Sequence, residues 1–199
     1  IHELEEFSPD VLVLVDYPGF NLRLAAEVRK RGISSRIIQY ISPQVWAWKR
    51  GRIARMARIL DRMLCLFPFE VDLYRGSGLD ARFVGHPIAE QLAGLRGKSL
   101  RDEQLVALLP GSRQREIEMI FPVMLGAAAE MTKLKAGLRF ASAAPGGELA
   151  ERMREMASEA GVDCSVGVGN AHELMATACC AAVASGTATL ESAFLGLPY

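Results

Sequence analysis

A glycine turn with an arginine beside it is the first feature of this sequence that could do chemistry. An apolar run at 105–109 stops at a Pro-Gly pair, and Ser112 and Arg113 then lead into a segment with helical spacing. A buried strand that turns through glycine into a helix presents several free backbone N–H groups to one point, and an arginine fork there matches a phosphate. Gly111, Ser112 and Arg113 are therefore predicted to bind an anion, with Ser112 as the N-cap of the helix. An ordinary turn with a solvated arginine is the alternative.

A second glycine turn follows the apolar run at 179–184. Ser185, Gly186 and Thr187 lead into another helical segment, in which Glu191 lies four residues after Thr187 and on the same face. A carboxylate there could accept hydrogen bonds from both hydroxyls of a ribose, while backbone N–H groups near Gly186 and Thr187 hold a phosphate. A capped helix with a glutamate on its surface is the simpler alternative, and the Ser-Gly-Thr turn alone does not exclude it.

Two further polar residues stand where predicted strands end. Asp16 follows the β-branched and leucine-rich run at 9–15, and His86 follows a shorter strand at 81–84. In open α/β sheets ligands bind at the carboxyl ends of the strands, so both positions are candidates for a functional role. The alternatives are that Asp16 caps the next helix and that His86 is a structural, hydrogen-bonded histidine.

An aromatic and basic segment lies between these two positions. Both tryptophans of the chain, Trp46 and Trp48, stand in it beside a series of cations. The cations are Lys49, Arg50, Arg52, Arg55, Arg58 and Arg62. On a helix, tryptophan next to a basic face is typical of a membrane interface or of a site for an anionic amphiphile. A solvated basic face is the alternative, and nucleic acid is a weaker one because the net charge is zero and no other basic surface is evident.

Alternating strands and helices must position these residues. Strands are predicted at 9–15, 36–41, 62–66 and 81–84, and again at 105–109, 138–143, 163–168 and 179–184. Helical spacing lies between them, and the segment 92–104 is rich in glycine and charge, which is typical of a linker. The pattern predicts an α/β protein with two Rossmann-like parallel-sheet domains, 1–91 and 105–199, that face a cleft.

Composition and missing motifs exclude several classes of protein. Half of the 199 residues are hydrophobic, but no apolar run reaches transmembrane length and no signal peptide is present. There is no GxGxxG after a strand and no P-loop motif, which argues against a nicotinamide dinucleotide site and a P-loop NTPase. Four cysteines in apolar runs without metal spacing indicate thiols in a reducing, cytosolic setting. Because the chain begins at Ile1 and stops where another strand is due, we expect a fragment in which both domains are incomplete.

Four motifs together resemble one enzyme family. They are YISPQVWAWKRGRI at 40–53, FVGHP at 83–87, LLPGSRQREIE at 108–118 and ASGTATLE at 184–191. In this order and spacing they resemble the lipid-A-disaccharide synthases, inverting GT-B glycosyltransferases of Gram-negative bacteria. The resemblance runs from about Asp10 to the last residue. The family's amino-terminal glycine-rich motif and the rest of its carboxyl-terminal domain have no counterpart in the sequence.

The resemblance implies a reaction between two lipids. UDP-2,3-diacylglucosamine would donate its sugar to 2,3-diacylglucosamine 1-phosphate (lipid X), giving the β-1,6-linked lipid A disaccharide 1-phosphate and UDP. The family implies no metal and no other cofactor, and no nucleic-acid partner. It also implies a cytoplasmic enzyme that is peripheral to the inner membrane, and it leaves a homodimer open.

The resemblance also gives the candidate residues roles. Gly111, Ser112 and Arg113 would neutralise the leaving diphosphate, which makes Arg113 a catalytic residue. The α-phosphate and ribose would be held by Ser185, Gly186, Thr187 and Glu191. Asp16 matches a family aspartate and would be the general base for the acceptor hydroxyl. Contacts with the acceptor and the acyl chains would come from Asn21, Gln44, Trp46, Trp48, Arg50, Arg52 and His86.

Two other functions stay open on the residues alone. One is another GT-B enzyme that uses a soluble UDP-sugar, such as an N-acetylglucosaminyltransferase or an epimerase. Such an enzyme would share the glycine turns and the ribose carboxylate but would not need the tryptophan and arginine segment. The other is a peripheral membrane-binding module with a vestigial nucleotide site.

Overall fold

The computed structural model describes residues 1–47, 51–97 and 100–199, and this part of the chain forms two compact units. The first unit is Ile1–His86 and the second is Pro87–Tyr199. Each unit contains a four-stranded parallel sheet with helices between its strands. The predicted fold class, α/β with two Rossmann-like parallel sheets, is confirmed.

Strands and helices alternate along the first unit. Its strands are β1 (Val11–Val15), β2 (Arg36–Tyr40), β3 (Arg62–Cys65) and β4 (Asp80–Phe83). Its helices are α1 (His2–Phe7), α2 (Pro18–Lys30), α3 (Arg52–Ile59) and α4 (Pro68–Tyr74). The sheet order β1-β2-β3-β4 follows the chain, and every pair is parallel, so the carboxyl ends of the strands lie at one edge.

Helices α2 and α3 cover one face of this sheet. Val28 of α2 and Met56 of α3 pack with Ile37 of β2, and all three side chains are fully buried. On the opposite face, Val13 and Val15 of β1 are about half exposed. The packed face therefore anchors β1 and β2, whose carboxyl ends carry Asp16 and the loop of Trp46.

The second unit contains the remaining strands and helices. Its strands are β5 (Asp102–Leu109), β6 (Arg139–Ala144), β7 (Cys164–Val168) and β8 (Ala178–Val183). Its helices are α5 (Pro87–Leu92), α6 (Gln114–Leu134), α7 (Gly147–Glu159), α8 (Ala171–Thr177) and α9 (Thr187–Leu195). The parallel sheet has the order β7-β6-β5-β8.

Helices cover both faces of the second sheet, the usual arrangement of parallel sheets. Phe121 of α6 and Met153 of α7 are fully buried on one face. Ile88 of α5, Leu174 of α8 and Leu195 of α9 are buried together on the other. The near-continuous apolar runs of β5 and β8 are explained by this double cover.

The order of the second sheet creates a switch point beside β5. The chain moves from β5 to β6 and β7 in one direction, and it then returns to place β8 on the opposite side of β5. In open α/β sheets, ligands bind in the crevice outside the carboxyl ends of the two strands at such a point. These are the ends of β5 and β8, from which the two glycine turns start.

The boundary between the units differs from the predicted one. It falls after His86 rather than after residue 91, because α5 packs against α9 in the core of the second unit. The carboxyl-terminal part of the predicted linker 92–104 is also part of the second unit. Arg101 donates hydrogen bonds to the carbonyls of Met175, Ala178 and Leu195, and β5 already begins at Asp102.

The aromatic and basic segment is helical in its second part. Residues 45–47 form a turn, whereas α3 starts at Arg52, buries Met56 and leaves Arg55 and Arg58 exposed. The predictions for Trp48 and Arg50, and for Lys49 between them, lie outside the described residues. Across the described ranges, no helix combines the length and the apolarity that crossing a bilayer requires.

Candidate active site

The two glycine turns start from neighbouring strands. Leu109 of β5 is paired with Val183 of β8, and the Ala184 N–H donates to the Leu109 carbonyl at 2.8 Å. The turn at 110–113 and the turn at 184–186 therefore leave the same edge of the sheet side by side. Two segments that are far apart in the chain are thus able to contact one ligand.

A cavity of about 580 Å³ lies between these turns, a volume in the range of small-molecule sites. All the predicted nucleotide-binding residues line it, namely Gly111, Ser112, Arg113, Ser185, Gly186, Thr187 and Glu191. Glu116 and His172 line it as well. The structure therefore brings together one guanidinium, one imidazole, two carboxylates and the N-terminal ends of α6 and α9.

Glu116 caps α6 from within the helix. Its Oε2 accepts hydrogen bonds from the backbone N–H groups of Ser112 and Arg113, each at 3.2 Å. Its Oε1 accepts one from Nη1 of Arg113 at 2.6 Å. The prediction that Ser112 is the N-cap is wrong, because the helix begins at Gln114 and a glutamate in its first turn satisfies the free N–H groups. The N–H groups of the predicted anion site therefore donate to the carboxylate of Glu116.

This arrangement sets the charge state of Glu116. The hydrogen bond from the Arg113 side chain, with those from the Arg113 and Ser112 N–H groups, lowers the pKa of the Glu116 carboxyl below its ordinary value. The charged form is thus favoured at the end of the helix dipole that attracts anions. The Arg113 side chain is 81% exposed, so a ligand in the cavity can reach its guanidinium.

Glu191 faces a histidine that comes from a different helix. Oε1 of Glu191 lies 3.4 Å from Nε2 of His172, which α8 carries, and the Glu191 side chain is only 19% exposed. The sequence pattern did not identify His172, because the contact joins elements that are not neighbours in the chain. The one available signal was that β7 ends a few residues before it at the same sheet edge.

Asp16 follows β1 in a tight turn at the carboxyl edge of the first sheet. It is exposed, and both Asp16 (φ 47°) and Tyr17 (φ 32°) have left-handed backbone conformations. Asn21, a predicted acceptor contact, is buried, and its Nδ2 donates to the carbonyls of Val15 and Asp16. The structure thus places Asn21 beneath this turn as a support of it. Gln39, which sequence reasoning missed, contacts the same Asp16 carbonyl.

Aromatic side chains cluster beyond the carboxyl ends of β2, β3 and β4. The ring of Trp46 meets that of Phe69 edge-on at 5.9 Å, and Phe67 lies 5.8 Å from Phe69 and 5.7 Å from the His86 ring. Trp46 and Phe69 are each about half exposed. We call these four residues the aromatic cluster. Phe67 and Phe69 were missed, since two phenylalanines after a strand are as typical of a core as of a site.

Two other residues predicted to contact the acceptor substrate, Gln44 and Arg52, lie elsewhere in the first unit. Gln44 is exposed in the loop after β2, beside buried Val45, and Arg52 is the first residue of α3. The first unit thus presents a carboxylate in a constrained turn and an aromatic surface. The second unit presents a cavity with groups suited to phosphates and a diol.

Comparison with known proteins identifies the family. The family model for lipid-A-disaccharide synthetase matches residues 1–199. A lipid-A-disaccharide synthase of Syntrophus aciditrophicus is 40% identical over 98% of this chain and 53% of its own length. One from Geobacter sulfurreducens is 38% identical over 96% of this chain and 51% of its own. Lipid-A-disaccharide synthase 1 of Legionella pneumophila is 41% identical over 96% of this chain and 52% of its own length. The chain spans about half the length of these curated relatives.

Solved structures add a likeness of fold. The crystal structure of TarM superposes on 99% of this chain, over 42% of the TarM chain, with a TM-score of 0.54 and 12% sequence identity. A variant of S. aureus TarM, crystallised with fondaparinux, alpha-GlcNAc-glycerol and UDP, has a TM-score of 0.52. At this identity the likeness concerns the fold alone, the GT-B type that the sequence predicts. Because the family model matches the whole chain, the protein belongs to the lipid-A-disaccharide synthetase family.

Proposed function

We propose that this protein transfers 2,3-diacylglucosamine from UDP-2,3-diacylglucosamine to 2,3-diacylglucosamine 1-phosphate and releases UDP. The observation that carries the proposal is the cavity at the switch point of the second sheet, which gathers groups suited to a nucleoside diphosphate. The names of the relatives support lipid A disaccharide synthesis in place of a soluble product.

The second unit would bind the donor. The hydroxyls of the ribose would donate to Glu191, and the backbone N–H groups near Gly186 and Thr187 would hold a phosphate. The Ser112 and Arg113 N–H groups and the Arg113 guanidinium would stabilise the charge that develops on the leaving diphosphate. The same three hydrogen-bond donors contact Glu116, so a diphosphate at this position would compete with that carboxylate for them.

The first unit would activate the acceptor. The carboxylate of Asp16 would take the proton of the acceptor hydroxyl as the hydroxyl oxygen forms a bond to the anomeric carbon of the donor sugar. The bond from that carbon to the diphosphate oxygen breaks with its electron pair moving to UDP, which inverts the anomeric centre. The proton goes to Asp16 and the electron pair goes to UDP, so the step balances without a further reactant, and the charge on the leaving diphosphate would be met by Arg113 and the backbone N–H groups.

The aromatic cluster would contact acyl chains. Trp46 and Phe69 offer exposed apolar rings, and tryptophan is suited to the boundary between lipid and water. The basic residues of the neighbouring segment, including Arg52, would face the acceptor phosphate or anionic headgroups. On this proposal the protein acts in the cytoplasm as a peripheral protein at the inner membrane.

The test is a transfer assay with the protein at the full length that its gene encodes. It is mixed with UDP-2,3-diacylglucosamine, with and without lipid X, and both UDP and the disaccharide product are followed. UDP release that requires lipid X and matches the product is expected. Turnover of UDP-N-acetylglucosamine in place of the diacyl donor would instead support a soluble-sugar enzyme. Binding to vesicles without any transfer would support a membrane module.

A further inference from the structure

The turn that carries Asp16 is held in a backbone conformation that its residues do not favour. Asp16 (φ 47°) and Tyr17 (φ 32°) are consecutive non-glycine residues in the left-handed region. Aspartate tolerates this region, but a bulky residue such as tyrosine enters it rarely. Such strain persists only where the surrounding structure over-determines it, and it concentrates at functional sites.

Hydrogen bonds to the backbone of Asp16 supply this constraint. Its N–H donates to the Tyr40 carbonyl at 2.9 Å. Its carbonyl accepts from Nδ2 of Asn21 at 2.8 Å and from Nε2 of Gln39 at 2.9 Å. One carbonyl is thus held by two side-chain amides, one from α2 and one from β2.

Gln39 is an unusual residue for its position. It lies on a central strand of a parallel sheet, on the helix-covered side with Ile37, and its exposed fraction is 0%. Its Oε1 is buried without a hydrogen-bond partner among the described residues. A buried unsatisfied amide oxygen destabilises a fold, so a polar residue there needs an explanation.

The surroundings of the Gln39 amide supply that explanation. Nε2 lies within hydrogen-bond distance of the carbonyls of Asp16, Tyr40 and Ile41, at 2.9, 3.2 and 3.4 Å. With three carbonyl oxygens around it, this end of the side chain has to be the NH₂ group, since an amide oxygen would be repelled there. Gln39 therefore provides a hydrogen-bond donor beneath the loops after β1 and β2, and the cost is that its Oε1 stays buried without a partner among the described residues.

We propose that Gln39 and Asn21 are positioning residues that hold the Asp16 turn in its strained conformation and so direct the Asp16 carboxylate toward the acceptor hydroxyl. The inference rests on the proposed function, in which Asp16 is the general base. Neither amide reaches the carboxylate itself, because both donate to the Asp16 carbonyl. Their effect on transfer is therefore an effect on where the base lies.

The experiment measures kcat and KM for both substrates in the full-length protein carrying Gln39→Met. Methionine keeps the unbranched shape and approximate volume of glutamine, lacks the NH₂ group that donates to Asp16, and brings no unsatisfied amide oxygen into the core. A fall in kcat of roughly ten- to hundredfold is expected, because small displacements of a catalytic group have effects of that size. The KM for the UDP-sugar is expected to stay unchanged, since the residues proposed to bind it belong to the second unit. Asn21→Ala provides a second variant and should lower kcat in the same way.

Ile37→Val is the matched control for loss of packing. It lies two residues before Gln39 on the same face of β2 and is equally buried, but it is paired with Leu12, four residues before Asp16. It is expected to lower Tm without lowering kcat. A parallel loss of kcat in Ile37→Val would overturn the proposal, since any disturbance of β2 would then suffice.

A double variant separates the failure of this inference from that of the proposed function. In an Asp16→Asn background, Gln39→Met is expected to lower the residual rate no further, because its effect acts through Asp16. Normal transfer by Asp16→Asn would remove the general base and with it the proposed mechanism. An inactive Asp16→Asn beside fully active Gln39→Met and Asn21→Ala, or additive losses in the double variant, would overturn the positioning role alone.

Discussion

The carboxylate of Glu116 lies directly against Gly111. A Cβ at position 111 would overlap Oε2 of Glu116, and Gly111 also has a φ of 118°, which side chains rarely adopt. The glycine is thus needed twice, for its conformation and for the space it leaves. The turn after β5 and the cap of α6 are therefore structurally coupled, and a change in either should alter the conformation of the other.

Gly111→Ala is predicted to disturb both the fold and the proposed nucleotide site. The backbone strain alone amounts to roughly 1–3 kcal/mol, and the added methyl would push Glu116 away from the Ser112 and Arg113 N–H groups. A lower urea midpoint and weaker UDP binding, measured by calorimetry, are expected. Gly146→Ala is the control, because Gly146 precedes α7 in an extended conformation with open space at its Cβ. Equal effects of the two substitutions would argue against a special role of Gly111.

Glu116 is predicted to make this turn sensitive to acid. Its pKa is lowered in the folded protein, so its contribution to stability is present above its unfolded value, near 4.5, and is lost as the pH falls through the lower folded value. Urea unfolding at neutral pH should therefore find Glu116→Gln less stable than the parent, and the difference should vanish in acid. Glu118→Gln, an exposed change on the same helix, should show no such difference. A gap between Glu116→Gln and the parent that grows in acid would contradict the sign of this linkage.

Arg113→Ala is predicted to slow transfer about a hundredfold or more, because the guanidinium would meet charge that develops on the leaving diphosphate. Its ion pair with Glu116 is exposed, so folding should be affected little. Steady-state kinetics measures the first effect and thermal unfolding the second. Arg115→Ala removes an exposed arginine two residues away that does not line the cavity. If Arg113→Ala turns over like Arg115→Ala, Arg113 is not part of the catalytic machinery.

His172 is predicted to strengthen ribose binding through Glu191. A histidine 3.4 Å from the carboxylate restricts its orientation, so His172→Ala should weaken UDP binding several-fold, by an amount of the order of a single polar contact. The loss should disappear when 2′,3′-dideoxy-UDP is the ligand, because that nucleotide has no diol for Glu191 to bind. Glu173→Ala, an exposed change on the same helix, is the control. An equal loss for both nucleotides would mean that His172 acts elsewhere.

The successes and failures of sequence reasoning have a common physical cause. Each glycine turn is a contiguous stretch at a strand end, and local patterns report strand ends well, so the turn residues that line the cavity could be named from the sequence. Gln39 and His172 were missed because their partners arrive through tertiary packing, from β1 and α9 respectively. The N-cap of α6 was misassigned because the preference for serine is statistical, whereas Glu116 is within reach of the same N–H groups.

The boundary between the units shows the same limit. The segment 92–104 has little periodicity, yet Arg101 within it binds three carbonyls of the second unit. No sequence pattern in the segment predicts its hydrogen bonds to those distant carbonyls. Conversely, the alternation of strands and helices was enough to predict both parallel sheets, because a helix that connects two strands returns the chain to the edge where the first strand began.

The aromatic cluster gives a prediction that tests the lipid part of the proposed function. Phe69 is about half exposed between Trp46 and Phe67, so Phe69→Ser removes an apolar contact at the surface with little loss of core packing. The KM for the diacyl substrates should rise, and binding to vesicles that contain anionic lipid should weaken, because both depend on burying apolar surface. The affinity for UDP alone should not change, since its proposed contacts lie in the second unit. Phe7→Ser is the matched control, because Phe7 is even more exposed but lies on α1, outside the cluster. Unchanged KM values in Phe69→Ser, or the same loss in Phe7→Ser, would assign the acyl chains to another surface.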